Sequence, residues 1–150
     1  MMGDFLQPWH ILVLLFVAGL LMVPAIFYIL TLVRVLNKCA SASRTIEPAM
    51  MWFYFVPLFN LVFHFFIVVN IAKSLSNEFK RRGMSIAEDA PGRTIGFVAC
   101  ICGVCKIIPH LNVFFYMLYF VPWIIYWLKI AGYSRMLDRA PETDILAGAP

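Results

Sequence analysis

Residues 11–33 contain no Asp, Glu, Lys or Arg, and neither do residues 48–72. A helix rises about 1.5 Å per residue, so runs of about 23 and 25 residues each reach across a hydrocarbon core of about 30 Å. A third run, 94–131, carries only Lys106 and Lys129; its roughly 38 residues are near the minimum for two crossings and a turn. The 150-residue chain is 63% hydrophobic and 13% charged, with mean hydropathy +0.86. A soluble domain is about half apolar and about a quarter charged, so the balance is that of a membrane protein.

The first run is expected to form a helix over 11–33, with Trp9 and His10 at one interface and Arg34 and Lys38 at the other. Pro24 falls near its middle and should kink it. Met1 to Gln7 holds Asp4 and no Lys or Arg, so it lacks the basic start of a signal peptide, and the helix is read as retained. After a polar connector over 37–47, Thr45 is a candidate cap and Pro48 suits the first turn of a second span, 48–72. That helix should continue through "KSLSNEFKRRG", with Glu78 four residues before Arg82 and Gly83 as its C-terminal cap. Pro109-His110-Leu111-Asn112 divides the last run into spans at 94–109 and 112–130, the latter ending in the interface group Trp123, Trp127 and Lys129. The alternative is a re-entrant segment at 94–105 and one span at 107–128. The expected fold is therefore an all-α, four-helix transmembrane bundle over residues 1–135, with a polar tail at 136–150.

In this topology one side holds Lys73, Lys80, Arg81, Arg82, Arg93, Lys129, Arg135 and Arg139, and the other Arg34, Lys38, Arg44 and Lys106. Eight cations against four put both termini in the cytoplasm, in an inner (plasma) membrane. The net charge of +4 then reflects contact with anionic headgroups rather than nucleic acid.

"VACICGVCKIIPHLN" sets Cys100, Cys102 and Cys105 close to His110. At 100° per residue, Cys100 and Cys102 lie about 160° apart, so the three thiols do not converge on one ion from a regular helix. Packing explains them better: Gly96, Cys100 and Gly103 form a small-residue face for close helix approach. His64 is the sharper candidate. Pro57, Asn60 and His64 fall within about 60° on a helical wheel, a polar stripe aimed at the bundle interior. The bland reading is a neutral histidine bonded to Asn60 or to a carbonyl freed by a proline. The functional readings are a haem, pigment or quinone site, a proton relay or a substrate contact. His10 and His110 sit near interfaces, which makes a bis-histidine haem a poor fit.

Two aromatic stripes, Phe55, Phe59, Phe63 and Phe66, and Tyr116, Tyr119, Trp123 and Trp127, are expected to pack against helices or lipid. Lys80, Arg81 and Arg82 are expected to contact headgroups or an acidic partner. There is no nucleophile elbow, no phosphate-binding glycine loop and no zinc-protease motif. No carboxylate falls within an expected span, which counts against a proton- or cation-coupled transporter. These features favour a non-catalytic accessory or scaffolding subunit that meets other membrane subunits or itself. A His64-based cofactor or ligand carrier is the rival, and a small channel ranks third.

"PAMMWFYFVPLFNLVFHFFIVVNIAKSLSNEF" followed by "VPWIIYWLKIAGYSRML" resembles a group of small bacterial multi-pass proteins without an assigned activity. The likeness rests on Trp52, Pro57 and Asn60 and on the later aromatic span with basic residues after it, over roughly residues 44–135. It implies a helical inner-membrane protein and nothing about chemistry; His64 matches no position of that pattern.

Overall fold

The structure, a computed structural model, describes residues 7–56, 58–105 and 112–139. It is all-helical, with no strand among the described residues. Four α-helices, α1 (Pro8–Lys38), α2 (Phe59–Arg81), α3 (Arg93–Cys105) and α4 (Asn112–Arg139), are joined by loops and two short 3-10 helices, Ser41–Ser43 and Pro48–Phe55. Two of them, α1 and α2, are long and apolar enough to cross a membrane. The expected turn at 109–112 lies mostly outside the described residues, as do Pro57, Lys106, His110 and most of the tail.

The region 48–72 is not one helix. Phe53 and Phe63 are ten residues apart, which is about 15 Å along an unbroken α-helix, yet their ring centroids are 6.0 Å apart. Pro48–Phe55 therefore folds back on α2 as a helical hairpin. Val56 is extended (φ −79°, ψ 114°), as befits a residue before proline. Leu58 then reverses the chain at φ +62°, a backbone conformation uncommon for a branched side chain. Thr45, expected as a cap, instead donates its hydroxyl to the Asn70 carbonyl (3.0 Å) and accepts no helix amide.

The hairpin changes the topology. Because Pro48–Phe55 runs back along α1 and α2, those two helices are parallel, and their C-terminal ends meet: Arg82 donates to the Lys38 carbonyl at 2.9 Å. α4 is parallel to them too, since Trp127 bonds Thr31 and Lys38 bonds Ser134 and Asp138. Only α3 runs the other way. The connector 37–47 thus lies beside 74–93, not across a membrane from it. The start of α1 and the end of α4 are at opposite ends, so the common side expected for both termini does not follow from this arrangement.

Each helix buries one stripe. On α1 it is Tyr28, Ile29, Leu32, Val35 and Leu36; on α2, Phe63, Ile67, Val68, Ile71, Leu75 and Phe79; on α4, Tyr119, Trp123, Tyr126, Ile130 and Leu137. The steps of three, four and seven residues are those of a helix packed on one face. Trp123 is buried and Trp127 is half-buried in this core. α3 offers its small-residue side: a Cβ added at Gly96 would lie 2.5 Å from Val68 Cγ1 and 3.0 Å from Tyr126 Cε2. α2 ends as expected at Gly83 (φ +65°), with Met84 N–H bonded to Phe79 O and Gly83 N–H to Lys80 O, the paired bonds of a Schellman cap.

The first half of α1 is different. Trp9, Ile11, Leu12, Leu14, Leu15, Phe16, Leu20 and Phe27 are all exposed. An apolar helix that its own chain leaves uncovered needs lipid or another protein around it.

Candidate functional site

Tyr28, one turn after Pro24, is the hub of the core at mid-height. Its ring centroid lies 5.2 to 6.3 Å from those of Trp123, Tyr54, His64, Tyr126 and Trp127. Its hydroxyl is 3.0 Å from His64 Nε2. This contact ties His64 to a side chain of α1 one turn after Pro24. Behind this pair the Tyr54 and Tyr119 hydroxyls are 3.3 Å apart. Asn60 and His64, one turn apart on α2, line a single cavity of about 30 Å³ with Leu61, Cys100, Gly103 and Tyr119. That volume suits one water and is well below the roughly 300 to 1,000 Å³ of a small-molecule site. Among the described residues, Asn60 Oδ1 and the Tyr126 hydroxyl are buried with no hydrogen-bond partner. Cys100 and Cys102 are buried and Cys105 half-buried, all as free thiols. Among the described residues, no three His, Cys, Asp or Glu side chains are placed to hold a metal.

A second polar cluster ties the C-terminal ends of the three parallel helices together. Glu78, fully buried on α2, is its centre. Its carboxylate accepts from Ala40 N–H (3.0 Å), from Arg81 Nη2 (2.7 Å) and from Arg82 Nε (2.7 Å). Arg82 then donates to Leu137 O and Lys38 O, both at 2.9 Å, so one guanidinium caps the last turns of α1 and α4. Lys38 closes the ring by donating to Ser134 Oγ and Asp138 Oδ2, each at 2.7 Å. Burial alone pushes the Glu78 carboxyl up. The bonds from Arg81, Ser43, Arg82 and Ala40 outweigh it and hold the carboxyl at about 2. Nearby, Lys129 pairs with Glu88, which also accepts from Gly92 N–H at 2.8 Å. The Lys129 bond leads in holding Glu88 below the usual carboxylate range.

Arg81 and Arg82, expected at a headgroup surface, are therefore taken up by Glu78, and Lys80 alone of the three is exposed. Glu78 was legible only as a helical ion-pair partner of Arg82; its bond to Ala40 requires the parallel α1–α2 arrangement. Together the fold and these clusters define an all-helical protein with two membrane-compatible helices and a charged clasp at one end. The chain matches no protein-family profile, no curated protein and no solved structure.

Proposed function

We propose that this chain is a non-catalytic integral membrane protein, an accessory or scaffolding subunit whose α1 extends into the bilayer beyond its own bundle. The observation that carries the reading is the bare first half of α1. From Ile11 to Phe27 it is apolar on every described face and exposed at nearly every described side chain, so it adds little to this chain's own core. Gly19 has nothing within 4 Å of a built Cβ, which leaves room for a helix from another subunit or a second copy. The His64 site favours packing over a cofactor: its Nε2 is engaged by Tyr28, and a haem, pigment or quinone has to displace the aromatic core to enter.

The orientation follows from charge. The chain has 12 Lys and Arg, and without Lys106 the described residues hold 11. All 11 lie in segments that meet at the clasp, whereas the start of α1 has none. The positive-inside rule then puts the clasp in the cytoplasm and the start of α1 on the other face, with α2 and Pro48–Phe55 entering and leaving from the cytoplasmic side. Single cysteines at the exposed positions Ala42, Ala87 and Trp9, in a background without the native cysteines, test this in intact cells. Ala42→Cys and Ala87→Cys should both be shielded from an impermeant maleimide and Trp9→Cys labelled. Labelling of Ala42→Cys but not Ala87→Cys would restore the four-crossing topology. For the scaffolding role, a photo-crosslinker at Leu15 should trap one discrete protein where the same group at Leu128 traps lipid. Lipid adducts alone at Leu15 count against a subunit role.

A further inference from the structure

We infer that the cavity between α2 and the start of α3 is a phosphate site, which takes a phosphate group carrying about two negative charges. The cavity measures about 370 Å³ and is lined by Lys73, Ser76, Asn77, Lys80, Asp89 and Arg93 among others. Lys73, Ser76, Asn77 and Lys80 follow at steps of three, four and seven, so one stripe of α2 faces it. Arg93 opens α3 from the opposite wall, its guanidinium 5.3 Å from the centre of the Phe97 ring.

Charge and enclosure by two helices together mark this place; the other cationic hollow, with Lys129, Arg135 and Arg139, is lined by α4 alone. Three cations against Asp89 leave a net charge of +2 on its walls. The neighbouring cations Lys38, Arg81, Arg82 and Lys129 are each paired with a carboxylate. Among the described residues Lys73, Lys80 and Arg93 have no ion pair within 4 Å, although all three are directed at one cavity. Like charges gathered around an empty space repel one another and are stabilised by an anion that enters it. The start of α3, at Arg93, adds the positive end of a helix dipole. A phosphomonoester, at about −1.5 to −2 near neutral pH, matches the wall charge. The shared chemistry has two sources, an anionic lipid headgroup such as phosphatidic acid or a soluble phosphate ester. Lys73 directly follows the apolar run that ends at Ala72, which places the cavity at headgroup depth; only the lipid source rests on the membrane reading above.

The test uses the full chain in phosphatidylcholine nanodiscs with and without phosphatidic acid, and in neutral detergent with glycerol 3-phosphate. Binding is read by native mass spectrometry and by thermal shift. Lys73→Gln, Lys80→Gln and Arg93→Gln should each weaken phosphatidic acid roughly fivefold, with melting in neutral detergent unchanged because all three side chains are exposed. Arg34→Gln, an exposed cation on α1, should leave binding unchanged. Glycerol 3-phosphate bound with the same variant dependence supports the site and adds the soluble source. If glycerol 3-phosphate binds this way and phosphatidic acid does not, the phosphate site stands and its lipid source falls. Equal losses from Arg34→Gln and the three cavity variants, or no loss from any, overturn the site. Alkaline extraction of cell membranes reports insertion separately, so a failed membrane reading is told apart from a failed site.

Discussion

Glu78→Gln removes one charge and almost no volume, which makes it the cleanest probe of the clasp. In the unfolded chain this carboxyl titrates at about 4.5 and in the folded protein at about 2. That depression, at about 1.4 kcal/mol for each tenfold change in acidity, amounts to roughly 3 to 3.5 kcal/mol of stability at neutral pH. A second route leads to a similar figure. Removing one partner of a buried ion pair costs about 3 to 5 kcal/mol, because the other charge is left behind. Arg82 is that other charge, with its side chain 8% exposed, whereas Arg81 at 28% keeps some access to water. Glu78→Gln should therefore lose about 3 kcal/mol in equilibrium unfolding by SDS in bicelles. Pairing it with Arg82→Met removes that cation as well. The double variant should be more stable than Glu78→Gln alone.

The pH dependence has a definite sign. A depressed carboxyl stabilises the fold fully above its unfolded value, and that contribution is lost as the pH falls through its folded value. Wild-type stability should decline between about pH 4.5 and 2 more steeply than that of Glu78→Gln, with the curves converging at the acid end. A Glu78→Gln variant within about 0.5 kcal/mol of wild type at neutral pH, or parallel acid profiles, would refute the claim that this carboxylate holds the three helix ends together.

Gly96→Ala places a methyl 2.5 Å from Val68 Cγ1 and should destabilise by about 1 to 3 kcal/mol relative to Gly132→Ala, where nothing lies within 4 Å; bicelle unfolding of the pair reads the difference. Adding Val68→Ala should recover part of it. Tyr28→Phe removes the hydroxyl that meets His64 Nε2 and should lose about 1 kcal/mol, whereas Tyr126→Phe removes a hydroxyl with no partner among the described residues and should be neutral or stabilising in the same assay. Cys39 is buried, and burial, then the nearby Glu78 charge, pushes its thiol up to about 12; maleimide should leave it unmodified at neutral pH until the clasp unfolds, as followed by intact-mass spectrometry.

Local chemistry was legible where a local rule decides the outcome. The α2 extension past Ala72, its basic last turn and the Gly83 cap follow from residues within one or two turns of each other. The approach of α3 through Gly96 and Gly103 was readable because only small residues admit it. His64 was readable as inward-facing from its stripe with Asn60, but its contact with Tyr28 was not, because finding Tyr28 requires knowing how α1 and α2 lie side by side.

The direction of the chain was not legible, and one segment accounts for it. A charge-free run of 25 residues has the length of a crossing whether it forms one helix or a hairpin. Val56-Pro57 marks a weak point for a helix, but Pro24 and Pro122 lie inside unbroken helices, so a proline alone does not separate a kink from a reversal. What separates them is contact between residues far apart in a helix and close in a hairpin: Phe53 with Phe63, and Tyr54 with His64 at 5.3 Å. Once the hairpin forms, Lys38 and Arg44 join the side that holds Arg81, Arg82 and Arg93. A modest charge bias of eight to four becomes one end holding every described cation. The four cations that seemed to oppose the bias were three misplaced by the assumed crossing and one, Lys106, outside the described residues. Charge counting was sound as physics, and it was applied to the wrong path of the chain.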